Sequence, residues 1–231
     1  MSLDGISMHP LAIELDRAVA GGRIDRINQP SKQSIVMSLR LPGKNVLLHI
    51  TINPQNPAMH LIDKAPENPP EPPMFCMVLR KHLETGRIAS VRQYGLDRLL
   101  MLDIDFLSAG GKIITKTLVV ELMGKYSNLI LADCDDKMIG ILKPVDFTTS
   151  QKRQLLPGMR YEEPPKQEKA DPMTVTEGEF NRIFGEADPT SVTEKKLTST
   201  FAGMASVTAR EIAFRSGGHT AATLEECSRH L

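Results

Sequence analysis

The spacing of apolar positions changes character along the chain, and the changes mark its parts. Leu11, Leu15, Ala18 and Val19 recur at helical intervals, which predicts a helix over 9–19 stopped by Gly21-Gly22. Short apolar runs follow and predict strands over 23–29, 34–41 and 45–52, separated by the turn sequences Pro30-Ser31-Lys32 and Pro42-Gly43-Lys44. The proline-dense stretch 54–73 reads as a loop. A second helix is predicted over 73–84, with Met74, Met77, Val78 and Leu83 on its apolar side and Gly86 beyond its end. Strands resume over 87–94, 99–106, 113–123, 129–132 and 138–143. In the second of these, Leu100, Leu102, Ile104 and Phe106 alternate with Leu99, Met101, Asp103 and Asp105, so one face meets a core and the other grades toward water.

Beyond residue 156 the chain becomes polar and Pro-rich, and then helical. Thr176 and Glu179 form a capping-box pattern ahead of Phe180, Ile183 and Phe184. Asp188-Pro189 suits another helix start running toward Leu197. Ser206 suits the cap of a helix through Phe214, closed by Gly217-Gly218, and Thr220 the cap of a last one. Strands and helices are segregated, so the fold class is α+β: a β-rich part over 1–156, a linker over 157–173 and a small helical part over 174–231.

Composition narrows the function classes. Among 231 residues, 28 basic and 28 acidic side chains cancel, so a nucleic-acid surface would have to be a local patch. With no Trp and three Tyr, a broad aromatic platform for single strands is disfavoured. No apolar run approaches the roughly 20 residues of a membrane span, and the N-terminal sequence lacks the pattern of a secretory signal. Cys76, Cys134 and Cys227 show no CxxC spacing; a disulfide framework or zinc site is not expected, and a reducing cytoplasm fits. The histidines show no metal-ligand spacing, and no GxSxG, phosphate-loop or GxGxxG motif is present. Neither catalytic residues nor a cofactor are expected.

Charged residues at predicted strand ends are the candidates that remain. Gly95-Leu96-Asp97-Arg98 opens one strand; Glu121-Leu122-Met123-Gly124-Lys125 closes another. An Arg fork suits phosphate, and a neighbouring Asp can hold that fork. On spacing alone, a turn Asp bonded to local backbone beside a solvated Arg explains the pair more simply. Arg80, Lys81, Arg87, Arg92 and Lys125 could form a phosphate-contacting patch, or a solvated face balanced by Glu84, Asp97 and Asp103. Asp103 and Asp105 read as paired carboxylates or, more simply, as the outward face of one strand. The segment 201–212 resembles a helix-hairpin-helix, which aims backbone N–H groups at phosphate. The usual second hairpin glycine is Ala205, and a plain helix–helix turn is the other reading.

These segments together resemble the NFACT family. The resemblance rests on Ser2-Leu3-Asp4-Gly5, on 22–30, on 71–82, on Gly95-Leu96-Asp97-Arg98, on 121–131 and on Leu156-Pro157-Gly158, in that order. Bacterial members are RqcH-type ribosome quality-control factors, formerly called fibronectin-binding protein A. The resemblance implies an RNA-binding module that joins a large ribosomal subunit carrying a stranded peptidyl-tRNA. It implies recruitment of alanyl-tRNA for template-free alanine tailing, with the ribosome itself performing peptidyl transfer. It assigns tRNA handling to Asp97, Arg98, Glu121, Leu122 and Met123; Leu122 stands where many bacterial members have Ile. It further implies a β-sandwich-like N-terminal fold similar to formamidopyrimidine-type DNA glycosylases, followed by a helix-hairpin-helix. Glycosylase chemistry is not expected, because Met1-Ser2-Leu3-Asp4 lacks that nucleophile. Members continue into a coiled coil and a second RNA-binding domain, so this sequence is expected to be an N-terminal portion. The older family name offers the alternative of a fibronectin-binding surface adhesin, which the absent signal and anchor oppose.

Overall fold

The computed structural model describes residues 3–108, 110–151, 153–165 and 168–228. It divides into two compact units. One comprises Pro10–Tyr94 and Arg98–Pro164; the other comprises Leu3–His9, Gly95–Asp97 and the chain from Pro165 onward.

The first unit is built on one antiparallel sheet of nine strands: β1 (Arg23–Ser31), β2 (Ser34–Leu41), β3 (Lys44–Thr51), β4 (Ala58–Ile62), β5 (Arg87–Gln93), β6 (Leu99–Leu107), β7 (Ile113–Glu121), β8 (Asn128–Ala132) and β9 (Met138–Ile141), in the spatial order β4-β3-β2-β1-β5-β6-β7-β8-β9. The α+β class therefore stands, with all nine strands in one hydrogen-bonded order. Its two halves join through a narrow seam where Arg23 pairs with Arg87, flanked by bonds from Ile24 N–H to the Gly86 carbonyl and from Ile88 N–H to the Gly22 carbonyl. Strand β4 falls inside the stretch expected to be loop. Its five residues carry no proline, and it lies at a sheet edge, where flanking prolines cost no ladder bonds.

Two helices accompany this sheet. Helix α1 (Gly5–Val19) starts earlier than the apolar spacing marks, because the Asp4 carboxylate accepts from Ser7 N–H at 2.8 Å and supplies a cap. Helix α2 (Met74–Leu83) buries Phe75, Cys76, Leu79 and Leu83 and packs against β1 and β9. Gly140 of β9 lies so close that a Cβ there would approach Val78 Cγ1 to 2.8 Å.

The two faces of β6 behave as its alternation predicts, with one extension. Leu100, Leu102 and Ile104 are buried. On the other face Leu99 and Met101 are buried as well, in a cluster with Val119, Ile130, Met138, Ile141, Leu155 and Tyr161. Further along that face, Asp103 accepts from Ser90, Arg92 and Thr117, and Asp105 from Thr115. These two carboxylates are the centres of cross-strand networks on the outward face.

The second unit contains α3 (Glu177–Gly185), α4 (Thr193–Thr200), α5 (Ser206–Gly217) and α6 (Leu224–Ser228). The Thr176–Glu179 capping box forms in full. Leu197, Phe201 and Ala209 make a small core, against which Phe180 and Phe184 pack, their ring centroids 4.3 Å apart. Two starts differ from the sequence pattern. Asp188 folds into a local turn, accepting from Thr190 N–H at 2.9 Å, and α4 begins only at Thr193. The last helix is capped by Thr223 with Glu226, not by Thr220.

Candidate nucleic-acid interface

Strands β6 and β7 are paired so that Leu99 lies opposite Glu121. One step outward, the Leu122 N–H donates to the Arg98 carbonyl at 2.8 Å. Arg98 and Leu122, one from each charged segment singled out in the sequence, are thus neighbours just beyond the paired ends of β6 and β7. Asp97 immediately precedes Arg98 in the chain, and both side chains are half-buried.

Glu121 is 2% exposed and Leu122 also 2%. A carboxylate at that depth requires partners. Tyr161 Oη donates to Glu121 Oε1 at 2.9 Å, and Arg153 Nη2 lies 2.7 Å from the same oxygen. The Arg153 guanidinium also stands over the Tyr161 ring, 5.0 Å from its centroid, and its Nε donates to the Glu162 carbonyl at 2.8 Å. Burial works against the Arg153 charge, but the bond and ion pair to Glu121 outweigh it and raise its pKa. Burial, and then the Glu121 charge, push the Tyr161 phenol far above its ordinary value. Glu121 and Leu122 can therefore act on a ligand only through what they hold in place.

What they hold is the turn that follows. Met123 is half-buried and packs on the Leu99–Tyr161 cluster. Gly124 has φ 60°, a left-handed conformation suited to glycine, and Gly124–Tyr126 forms a single 3-10 turn. Its backbone is closed by bonds from Tyr126 N–H to the Met123 carbonyl at 3.2 Å and from Ser127 N–H to the Gly124 carbonyl at 3.0 Å. Behind it, Lys143 Nζ donates to the Ser127 carbonyl at 3.2 Å, and the Asn128 amide exchanges bonds with the Lys143 backbone. Lys125 and Tyr126 are exposed at the tip, with Lys125 Nζ 4.8 Å from the Tyr126 ring centroid.

The other basic candidates lie on α2 and β5. Arg80 Nε donates to the Ile27 carbonyl at 2.7 Å and its Nη2 to Asn28 Oδ1 at 3.0 Å, tying α2 to β1. Arg92 pairs with Asp103 at 2.8 Å. Arg87 lies opposite Asp105 in the β5–β6 register and donates to the Gly21 carbonyl at 3.1 Å. Lys81 is exposed on α2.

In the second unit, the turn expected to offer N–H groups to phosphate already holds an anion. Asp4 accepts from Ala205 N–H at 3.2 Å and from the Thr208 hydroxyl, at the start of α5. Burial opposes ionisation of Asp4, but bonds from Thr208, Ser7 and Ala205 outweigh it and lower its pKa. Asp4 thus caps α1 and also ties down the residues at the start of α5, where Ser206, expected as the cap, is the first helical residue and no side-chain cap bond forms.

Among the described residues, no group of three His, Cys, Asp or Glu side chains could hold a metal ion. Cys76, Cys134 and Cys227 are free thiols, and burial raises the Cys76 pKa. No described helix is long and apolar enough to cross a membrane. Sequence reasoning missed Arg153, Tyr161 and the bonds of Asp4 to the starts of α1 and α5. A carboxylate closing the apolar run Leu118-Val119-Val120 does signal a buried acid, but it does not name the partner.

The chain is 36% identical over 218 residues to Rqc2 homolog RqcH of Bacillus subtilis, a match covering 94% of this chain and 38% of that protein. It therefore spans well under half the length of such relatives. The N-terminal structure of the fibronectin/fibrinogen-binding protein FBPS from Streptococcus suis superposes with a TM-score of 0.83 at 34% identity, covering 99% of this chain and 84% of that one. The N-terminal domain of the fibronectin-binding protein PavA from Streptococcus pneumoniae gives a TM-score of 0.82 at 33% identity, covering 90% and 77%. The family profile for NFACT N-terminal and middle domains matches residues 4–230, and the chain belongs to that family.

Proposed function

We propose that this chain is the RNA-binding N-terminal part of a ribosome quality-control factor. In this reading the parent protein is cytoplasmic. It joins an obstructed large ribosomal subunit and recruits tRNA, alanyl-tRNA in particular, for template-free C-terminal alanine tailing. The chain itself performs no bond-making step. Support comes from the similarity to the RqcH protein over nearly the whole chain. The observation that supports the site is the Leu122–Arg98 backbone bond, between one residue of each assigned segment. The test is tRNA occupancy on large subunits bound by the full-length parent, wild type against Asp97→Ala/Arg98→Ala. Loss of tRNA with subunit binding retained supports the assignment; unchanged occupancy rejects it.

A second reading is favoured by one observation: the similar solved structures are of proteins described as fibronectin-binding. On that reading the chain binds a host matrix protein. Immobilised fibronectin, titrated with this chain, separates the two: saturable binding, together with protease-accessible display on intact cells, would favour the adhesin.

A further inference from the structure

We propose that Tyr126 is a base-stacking contact, and that the 123–127 turn is an element of this site that touches RNA directly. The inference rests on the reading above that the chain binds tRNA.

The argument begins from burial. Of the residues carried over from the family, Glu121 and Leu122 are buried, so neither presents a surface to a ligand. The backbone that leaves them does. Two residues beyond Leu122 the chain turns through Gly124, and its tip exposes Lys125 and Tyr126. Tyr126 is 70% exposed. Its hydroxyl bonds to none of the described residues, and its described ring partner is Lys125 Nζ.

Such a turn is built to present a ring in one place. Met123 anchors one end in the core, and Lys143 and Asn128 hold the other. The Glu121–Arg153–Tyr161 cluster fixes the strand end from which the turn departs. An exposed aromatic face with a cation beside it, on a turn whose backbone is held at both ends, fits an unpaired nucleotide: the ring stacks on the base, and the ammonium meets the adjoining phosphate. The low aromatic content of the chain excludes a broad stacking platform, not a single stacked base. No described acidic side chain pairs with Lys125, so nothing described must be displaced to seat a phosphate there.

The experiment measures tRNA retention on large subunits by the full-length parent across a salt series, for Tyr126→Phe, Tyr126→Leu, Tyr126→Ala and Lys125→Ala. Stacking predicts that Phe stays within about twofold of wild type, while Leu and Ala weaken retention about tenfold. Tyr126→Ala should leave the salt dependence unchanged, whereas Lys125→Ala should reduce its slope by about one phosphate contact. Because the ring is exposed, none of these changes should move the melting temperature, so a folding defect is separable. Wild-type parent that retains no tRNA overturns the underlying RNA-binding reading. Retention by wild type with Tyr126→Ala equal to it, or with Tyr126→Leu equal to Tyr126→Phe, overturns the stacking contact alone.

Discussion

Arg153 Nη2 lies 2.7 Å from Glu121 Oε1, joining the end of β7 to a segment more than thirty residues away along the chain. Tyr161 completes the cluster, so a residue assigned by family likeness to tRNA handling is the buried centre of a structural clasp.

Removing one member of that clasp strands the other. Arg153→Met should cost about 3 kcal/mol in urea unfolding, because the buried Glu121 carboxyl loses its cation and keeps only the Tyr161 hydroxyl. Glu121→Leu combined with Arg153→Met should recover more than half of that loss. A double variant no more stable than Arg153→Met would contradict the account.

The same cluster shapes the alkaline limit. The ordinary phenol pKa is 10.0, and burial beside Glu121 raises that of Tyr161 well above it. Above about pH 10 the unfolded chain releases this proton while the folded chain retains it, so stability should fall with rising pH. The contribution is fully present below the unfolded value. Tyr161→Phe should flatten this part of the pH–stability curve, at a cost of about 1 kcal/mol near neutrality from the lost hydrogen bond.

Asp4 predicts the acid limit. Its pKa is lowered from the ordinary 3.8, so its stabilising effect is present above that value and lost as pH falls through the folded one. Asp4→Ala should destabilise the protein by about 2 kcal/mol at pH 7, since α1 loses its cap and the start of α5 loses its bonds from Ala205 N–H and the Thr208 hydroxyl. The variant should also show a shallower loss of stability on acidification, measured by thermal melting from pH 6 to pH 2. An acid limb as steep as that of wild type would show that Asp4 does not carry it.

A close approach in the second unit makes a further prediction. A Cβ on Gly5 would fall 1.7 Å from the Leu96 carbonyl oxygen and 2.8 Å from Gly203 Cα, both of them main-chain atoms that cannot swing away. Gly5→Ala should therefore cost at least about 3 kcal/mol, comparable to severe overpacking. By contrast Gly110, whose added Cβ meets nothing within 4 Å, should accept Ala with little change. Equal melting temperatures for the two variants would refute the close approach.

Much of the fold was legible because its signals are local. Alternation in β6, the Thr176–Glu179 box and the left-handed cap at Gly218 depend on residues a few positions apart, and each appears as its pattern predicts. The misses share a cause. Strand β4 depends on an edge supplied by β3, the start of α5 on bonds to Asp4 some two hundred residues upstream, and the burial of Leu99 and Met101 on the 138–161 segment. Periodicity carries no information about partners so distant.

For the candidate site the division is similar. By itself the sequence determined which residues are charged, that Glu121 ends an apolar run and Arg98 opens one, and which family these segments resemble. Only the tertiary structure decided that the two segments are backbone neighbours, that Glu121 is turned inward onto Arg153 and Tyr161, and that Tyr126 stands outward. The physical reason is strand register. A shift of one residue between β6 and β7 would exchange the two faces, and register is set by the whole sheet and the segments covering it.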